Sequence, residues 1–156
     1  VKVINVKDSV VKVTVSGIVG GIVIDFIMFA ALLLGVRTTT PWKIAANVFL
    51  TTKYLDTTAG VILGLFGTIG LGIATAGLVL LILKWTGYDY AILKGVLTAN
   101  AFGFITMGLF MSLLKISPWI KNEPVTNFMA LFCLTVSGAV MATILKSYET
   151  HIRSDS

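Results

Sequence analysis

The chain has 156 residues, of which 56% are hydrophobic and only 12% charged, and its mean hydropathy is +0.96. Soluble domains of this size carry about 25% charge, the polar shell that covers a globule in water. The composition therefore excludes an ordinary cytosolic enzyme, a disordered tail and a disulfide scaffold, and it points to a chain whose solvent is lipid.

Lys and Arg number 12 against 7 Asp and Glu, a net charge of +5. These basic residues lie in short segments between apolar runs, where headgroups and topology account for them, and no nucleic-acid partner is implied. The expected partner is the bilayer itself. Four runs reach the roughly 20 residues needed to cross it: about 13–36, 58–83, 91–114 and 125–145. Lipid cannot hydrogen-bond a backbone, so each run is expected to be helical.

The first run is too long for a signal-peptide core and reads as a retained helix. It carries Gly17 and Gly21 four apart, and a further step of four lands on its only charge, Asp25. Thr40-Pro41-Trp42 then reads as a helix start, a hydroxyl followed by proline at the first helical position. Over 41–55 the apolar residues Ile44, Ala45, Val48, Phe49 and Tyr54 share one side. This predicts either a short helix lying in the interface plane, anchored by Trp42 and Tyr54, or a connecting helix packed on the bundle. Asp56-Thr57 is expected to cap the second span.

That second span has no charge and six glycines, among them Gly60 and Gly64. Asp89 is expected to cap the third, which holds Lys94 near its start, Asn100 within it, and Gly95, Ala99 and Gly103 in steps of four. Ser117-Pro118-Trp119 follows, with Trp119 as a further interface anchor. The fourth span carries Gly138 and Ala142; its Cys133 is the chain's one cysteine, so no intrachain disulfide forms. Residues 146–156 form a polar tail with His151 alone in it. In lipid, small residues at this spacing let helix backbones approach, so Gly17, Gly21, Gly60, Gly64, Gly95, Gly103 and Gly138 are expected at helix contacts.

An even number of spans places both termini on one side. That side holds Lys2, Lys7, Lys12, Lys84, Lys94, Lys146 and Arg153; the other holds Arg37, Lys43, Lys53, Lys115 and Lys121. The asymmetry favours cytoplasmic termini. The halves also resemble each other. Gly17, Asp25-Phe26-Ile27 and Thr40-Pro41-Trp42 correspond to Gly95, Gly103-Phe104-Ile105 and Ser117-Pro118-Trp119. Likewise, Thr75-Ala76-Gly77 corresponds to Ser137-Gly138-Ala139. Two parallel hairpin repeats and chance likeness in a low-complexity sequence both account for this.

A carboxyl near the middle of a span costs on the order of 2.5–3.5 kcal/mol on insertion scales, which makes it a functional candidate by default. At similar depth lie Asn100, Thr68, Thr135 and Ser137, which with Asp25 could form a polar midplane layer. Two readings stay open: a proton- or solute-responsive site, and an aspartate serving as interhelical glue. No other grouping has the spacing of a nucleophile–base pair, a metal site or a phosphate loop, and no cofactor is implied.

Gly17-x-x-Gly20-Gly21 opening the first helix, a loop with Pro41 leading into a short amphipathic stretch, a glycine-rich second helix and a third opening near Gly95 resemble the small four-helix bacterial membrane proteins of the YqhR type. The resemblance covers most of the chain. It implies a bacterial inner-membrane location and no reaction, and Asp25 lies outside its pattern. The expectation is thus an all-α integral membrane protein of four transmembrane helices. Its expected role is non-enzymatic, as a structural or accessory component that self-associates or joins a larger assembly. The alternative is a small oligomeric transporter or channel subunit built on Asp25.

Overall fold

A computed structural model describes residues 6–154, with side chains described over 9–149. The expectations placed on the side chains of Lys2, Lys7, His151 and Arg153 lie outside the described residues. Every regular element among the described residues is helical. Helix α1 spans Val6–Leu33, α2 Pro41–Ala46, α3 Thr58–Thr86 and α4 Ala91–Gly103. A π-helical segment, Phe104–Phe110, runs on into the single turn α5, Met111–Leu113, and α6 covers Pro124–Ser154. Four helices are long and apolar enough to cross a membrane: α1, α3, the continuous run from α4 to α5, and α6.

Helix ends follow local chemistry. Helix α1 closes on Gly35, whose φ of 80° is open to glycine at no steric cost. There the Gly35 N–H donates to the Leu32 carbonyl and the Val36 N–H to that of Ala31, a Schellman closure. Thr57 caps α3 as expected, its hydroxyl accepting from the Gly60 N–H at 3.2 Å. Thr40 stands at the N-cap of α2 with Pro41 behind it, but its hydroxyl makes no capping bond and is buried without a partner among the described residues. Asp89 does not cap α4. That position falls to Tyr90 in the left-handed region, φ 53°, with no side-chain cap.

Two elements depart from the sequence pattern. The helix expected over 41–55 closes at Ala46, and a 3-10 turn at Thr52–Tyr54 completes the segment. Asn47 supplies the reason, because its side-chain amide donates to the Leu50 carbonyl at 3.0 Å and holds a turn against helix propagation. In the third span, the Thr106 hydroxyl lies within reach of the Phe102 and Gly103 carbonyls at 2.8 and 3.1 Å, at the point where the α pattern widens to π. Farther on, the polar tail continues α6 as helix to Ser154.

The four long helices form a ring, with α1 against α3 and α6, and α4 against α3 and α6. At one end Lys84 donates to the Ser9 hydroxyl, Lys94 to the carbonyls of Thr86 and Gly87, and Lys12 sits over the Tyr148 ring. These contacts gather the starts of α1 and α4 with the ends of α3 and α6. Close to that end lies an apolar cluster of Val79, Leu83, Ala91, Ala142 and Leu145.

The seams are made by glycine. A Cβ added at Gly17 would overlap the Ile73 backbone, and one at Gly72 would stand 2.5 Å from the Gly17 carbonyl. In the other hairpin, a Cβ at Gly95 or Gly138 would meet the opposite carbonyl at 2.5 or 2.6 Å. Gly103 lies against Leu134. Gly60 and Gly64 serve a different neighbour: they admit the backbone of Tyr54 and Trp42, so that 41–55 lies along the first turns of α3.

Candidate functional site

The close approach of α1 and α3 at Gly17, Gly21 and Gly72 sets the geometry around Asp25. One turn beyond Gly21, the Thr68 hydroxyl donates to Asp25 Oδ2 at 2.7 Å, and it also lies 2.9 Å from the Leu65 carbonyl oxygen. A hydroxyl has one proton. When Thr68 donates to an ionised Asp25, the Leu65 carbonyl goes without it. When Asp25 is protonated it can itself donate to Thr68, which is then free to donate to Leu65. The pair therefore accommodates both protonation states through a hydroxyl rotation. Asp25 Oδ1 is buried without a partner among the described residues.

The other members of the expected polar layer go elsewhere. Asn100 donates to the Thr135 hydroxyl at 3.0 Å and to the Val96 carbonyl, on the outer surface between α4 and α6. Thr135 in turn donates to the Leu131 carbonyl. Ser137 is buried in the α1–α6 seam and donates to the Gly20 carbonyl at 3.0 Å. The five residues thus form three separate pairings: Asp25 with Thr68, Asn100 with Thr135, and Ser137 with the α1 backbone.

A cavity of about 320 Å³ lies inside the ring and is bounded mainly by apolar side chains. Thr68 lines it; Asp25 and Asn100 do not. Met28 of α1, Ala45 of α2, Met107 of the π segment and Met141 of α6 mark its extent, so α2 closes one end of a space shared by all four long helices. Around it the described hydroxyls (Thr68, Thr75, Thr106, Thr126, Ser137) all donate within the protein or across a seam. Among the described residues no group of His, Cys, Asp and Glu could hold a metal.

At the loop end, sequence reading missed a second polar constellation. The hydroxyls of Thr39 and Thr126 each donate to Glu123 Oε2 at 2.7 Å, and the Thr39 N–H and Thr38 hydroxyl donate to the Thr126 hydroxyl. This ties the α1–α2 connection to the start of α6. These hydroxyls, Thr126 foremost and then Thr39, hold the Glu123 carboxyl below its ordinary value of 4.5. Nearby, Asn47 Oδ1 accepts from the N–H and hydroxyl of Ser117 at 2.8 and 3.0 Å, joining α2 to the turn before α6. Threonine doublets in a loop carry no spacing signal, and only the acid three residues before Thr126 hints at the pair.

Of the expected interface anchors, Tyr54 is exposed with Lys53 over its ring, while Trp42 and Trp119 are half-buried. At the opposite end Trp85 and Tyr90 are the more exposed aromatics, at 85% and 81%. Their position at helix ends was a sequence signal for an aromatic belt there. No family model, no curated protein and no solved structure matches the chain.

Proposed function

We propose that the chain is a small integral membrane protein with a structural or accessory, non-enzymatic role, self-associating or joining a larger membrane assembly through the outer face of α4 and α6. One observation carries the reading. The third span has 11% of its apolar window buried within the chain, against 33% for each of the others. On that bare face lies the Asn100–Thr135 pair, and polar side chains in a membrane gain from a protein neighbour over lipid. Single-molecule subunit counting in liposomes tests it. The native chain is expected in assemblies larger than one copy or with a retained partner, and Asn100→Leu with Thr135→Val shifts it toward monomer. A strictly monomeric, partner-free native chain overturns the reading.

The finer architecture belongs to the same proposal. Contact register supports two related hairpins: Gly17 on Gly72 and Asp25 on Thr68 correspond to Gly95 on Gly138 and Gly103 on Leu134. The shift is 78 residues in the first helix of each hairpin and 66 in the second, one helical turn from the 62 suggested by matching Thr75-Ala76-Gly77 to Ser137-Gly138-Ala139. Pro41 and Pro118 each open a short helical turn after the first helix of a hairpin. The exposed Val48, Phe49 and Tyr54 support an interfacial position for 41–55. A bacterial inner membrane with cytoplasmic termini is the setting we propose.

A second reading, a small oligomeric transporter or channel subunit with a titratable Asp25, is favoured by the cavity that reaches Thr68. Asp25→Asn keeps a hydrogen bond and removes titration. Proton-linked flux lost in the variant supports this reading, and no flux in either form overturns it.

A further inference from the structure

On the outer face of the bundle a groove of about 540 Å³ runs between the π segment and the first turns of α6, ending at the turn that follows α5. Its chemistry changes along its length. Phe104, Met107 and Leu131 line the part at span depth, whereas Lys115 and Lys121 line the mouth, beyond the last residue of α5. Neither lysine has a hydrogen bond or ion pair among the described residues; of the acids at that end, Glu123 accepts the Thr39 and Thr126 hydroxyls and Asp56 pairs with Lys43. We propose that this groove is a binding site for an anionic phospholipid, with its phosphate at Lys115 and Lys121 and an acyl chain along the π segment.

Three features favour this occupant. Dimensions come first: from Lys115 back to Phe104 is 11 residues, at most about 16 Å at the α-helical rise and shorter across the π segment, comparable with one leaflet of a hydrocarbon core roughly 30 Å thick. Second, the floor is open. A Cβ added at Gly108 meets nothing within 4 Å, and the π geometry, which recurs at functional sites, widens the helix at that place. Third, the turn that carries Lys115 is held in a costly conformation. Lys115 and Ser117 both have positive φ, 54° and 47°, and Ser117 is fixed by Asn47. Such backbone persists only where surrounding structure enforces it, and here it presents a cation at the mouth of an apolar groove. Basic pockets between spans bind anionic headgroups by this arrangement, and here the two lysines would meet the leaflet away from the termini. The site is compatible with self-association centred on the Asn100–Thr135 pair and is excluded by an interface that covers Gly108 itself.

Native mass spectrometry of the full chain, titrated with phosphatidylglycerol or phosphatidylcholine of identical acyl chains, tests the site. The native chain is expected to prefer phosphatidylglycerol by about thirtyfold, on the order of two lysines near a charged surface. Lys115→Gln with Lys121→Gln abolishes the preference while an unchanged circular-dichroism melt reports an intact fold. Lys43→Gln with Lys53→Gln, at the same end of the bundle, leaves the preference in place. Gly108→Leu weakens binding of both lipids by filling the groove. Equal binding of the two lipids by the native chain overturns the proposal, as does a preference that survives loss of both groove lysines. Full competition by soluble glycerol phosphate, which would reveal an anion site without an acyl groove, also overturns it, and so does homodimer cross-linking through Gly108→Cys.

Discussion

In the α1–α3 hairpin, the glycine seam continues one turn to a carboxyl and a hydroxyl, Asp25 and Thr68, paired between the helices. In the α4–α6 hairpin the corresponding turn brings Gly103 against Leu134, and the polar pair, Asn100 with Thr135, lies on the outer surface. Backbone approach is thus set by small residues in the same way in both hairpins, while the polar residues are placed independently of it. The first hairpin is also covered, by 41–55 along α3 and by Ser137 and Met141 against Gly20 of α1. The second carries the π segment, and its first helix is the least covered of the four. Close packing and exposure are therefore separate properties, decided by different residues.

The strongest way to break this comparison is to fill the seams. Gly17→Val and Gly95→Val are each expected to cost about 3 kcal/mol of unfolding free energy in detergent, because the added carbons meet backbone or a packed methyl that cannot move aside. Gly70→Ala, whose added Cβ meets open space, is expected to cost nothing. Tolerance of valine at one seam and not the other would refute the shared packing.

Double-mutant cycles sharpen the contrast between the polar pairs. Coupling between Asp25 and Thr68 is expected at about 1.5 kcal/mol, near the upper range for hydrogen bonds between membrane helices, and between Asn100 and Thr135 at about 0.6 kcal/mol. The reverse order would mean that the outer pair, and not the inner one, holds the bundle together.

The smallest effect concerns the loop end that joins the two hairpins. The carboxyl of Glu123 titrates below 4.5 in the folded chain because it accepts the Thr126 and Thr39 hydroxyls. A lowered folded-state value means that the ionised group stabilises this junction at and above pH 4.5, and that the contribution fades as pH falls through the folded value. Melting in detergent is expected to lose stability over that acidic window, and Glu123→Gln should flatten the dependence. An unchanged slope in the variant would assign the acid sensitivity to another group.

Much of the architecture was legible in the residues. Four uncharged or nearly uncharged runs had to become helices, since lipid offers their backbones no partner. Steps of four from Gly17 to Asp25 and from Gly95 to Gly103 foretold the faces that pack. The pairing of Asp25 with Thr68 was one of several that depth allowed, and depth alone could not tell it from a pairing with Asn100. Asn47 closing α2 early, Thr106 beside the π turn and the Glu123 junction left no trace in hydropathy, because each depends on which carbonyl or hydroxyl lies within 3 Å of a side chain.

Hydropathy and residue spacing suffice for four membrane-length helices, the small-residue seams and one carboxyl within a span. These follow from solvent and from spacing along a single helix. Packing between helices sets which are neighbours, separates the polar residues into three pairings in place of one layer, and opens a groove with two lysines at its mouth on the outer face. Those outcomes depend on rotation and distance between helices, which no one-dimensional pattern encodes.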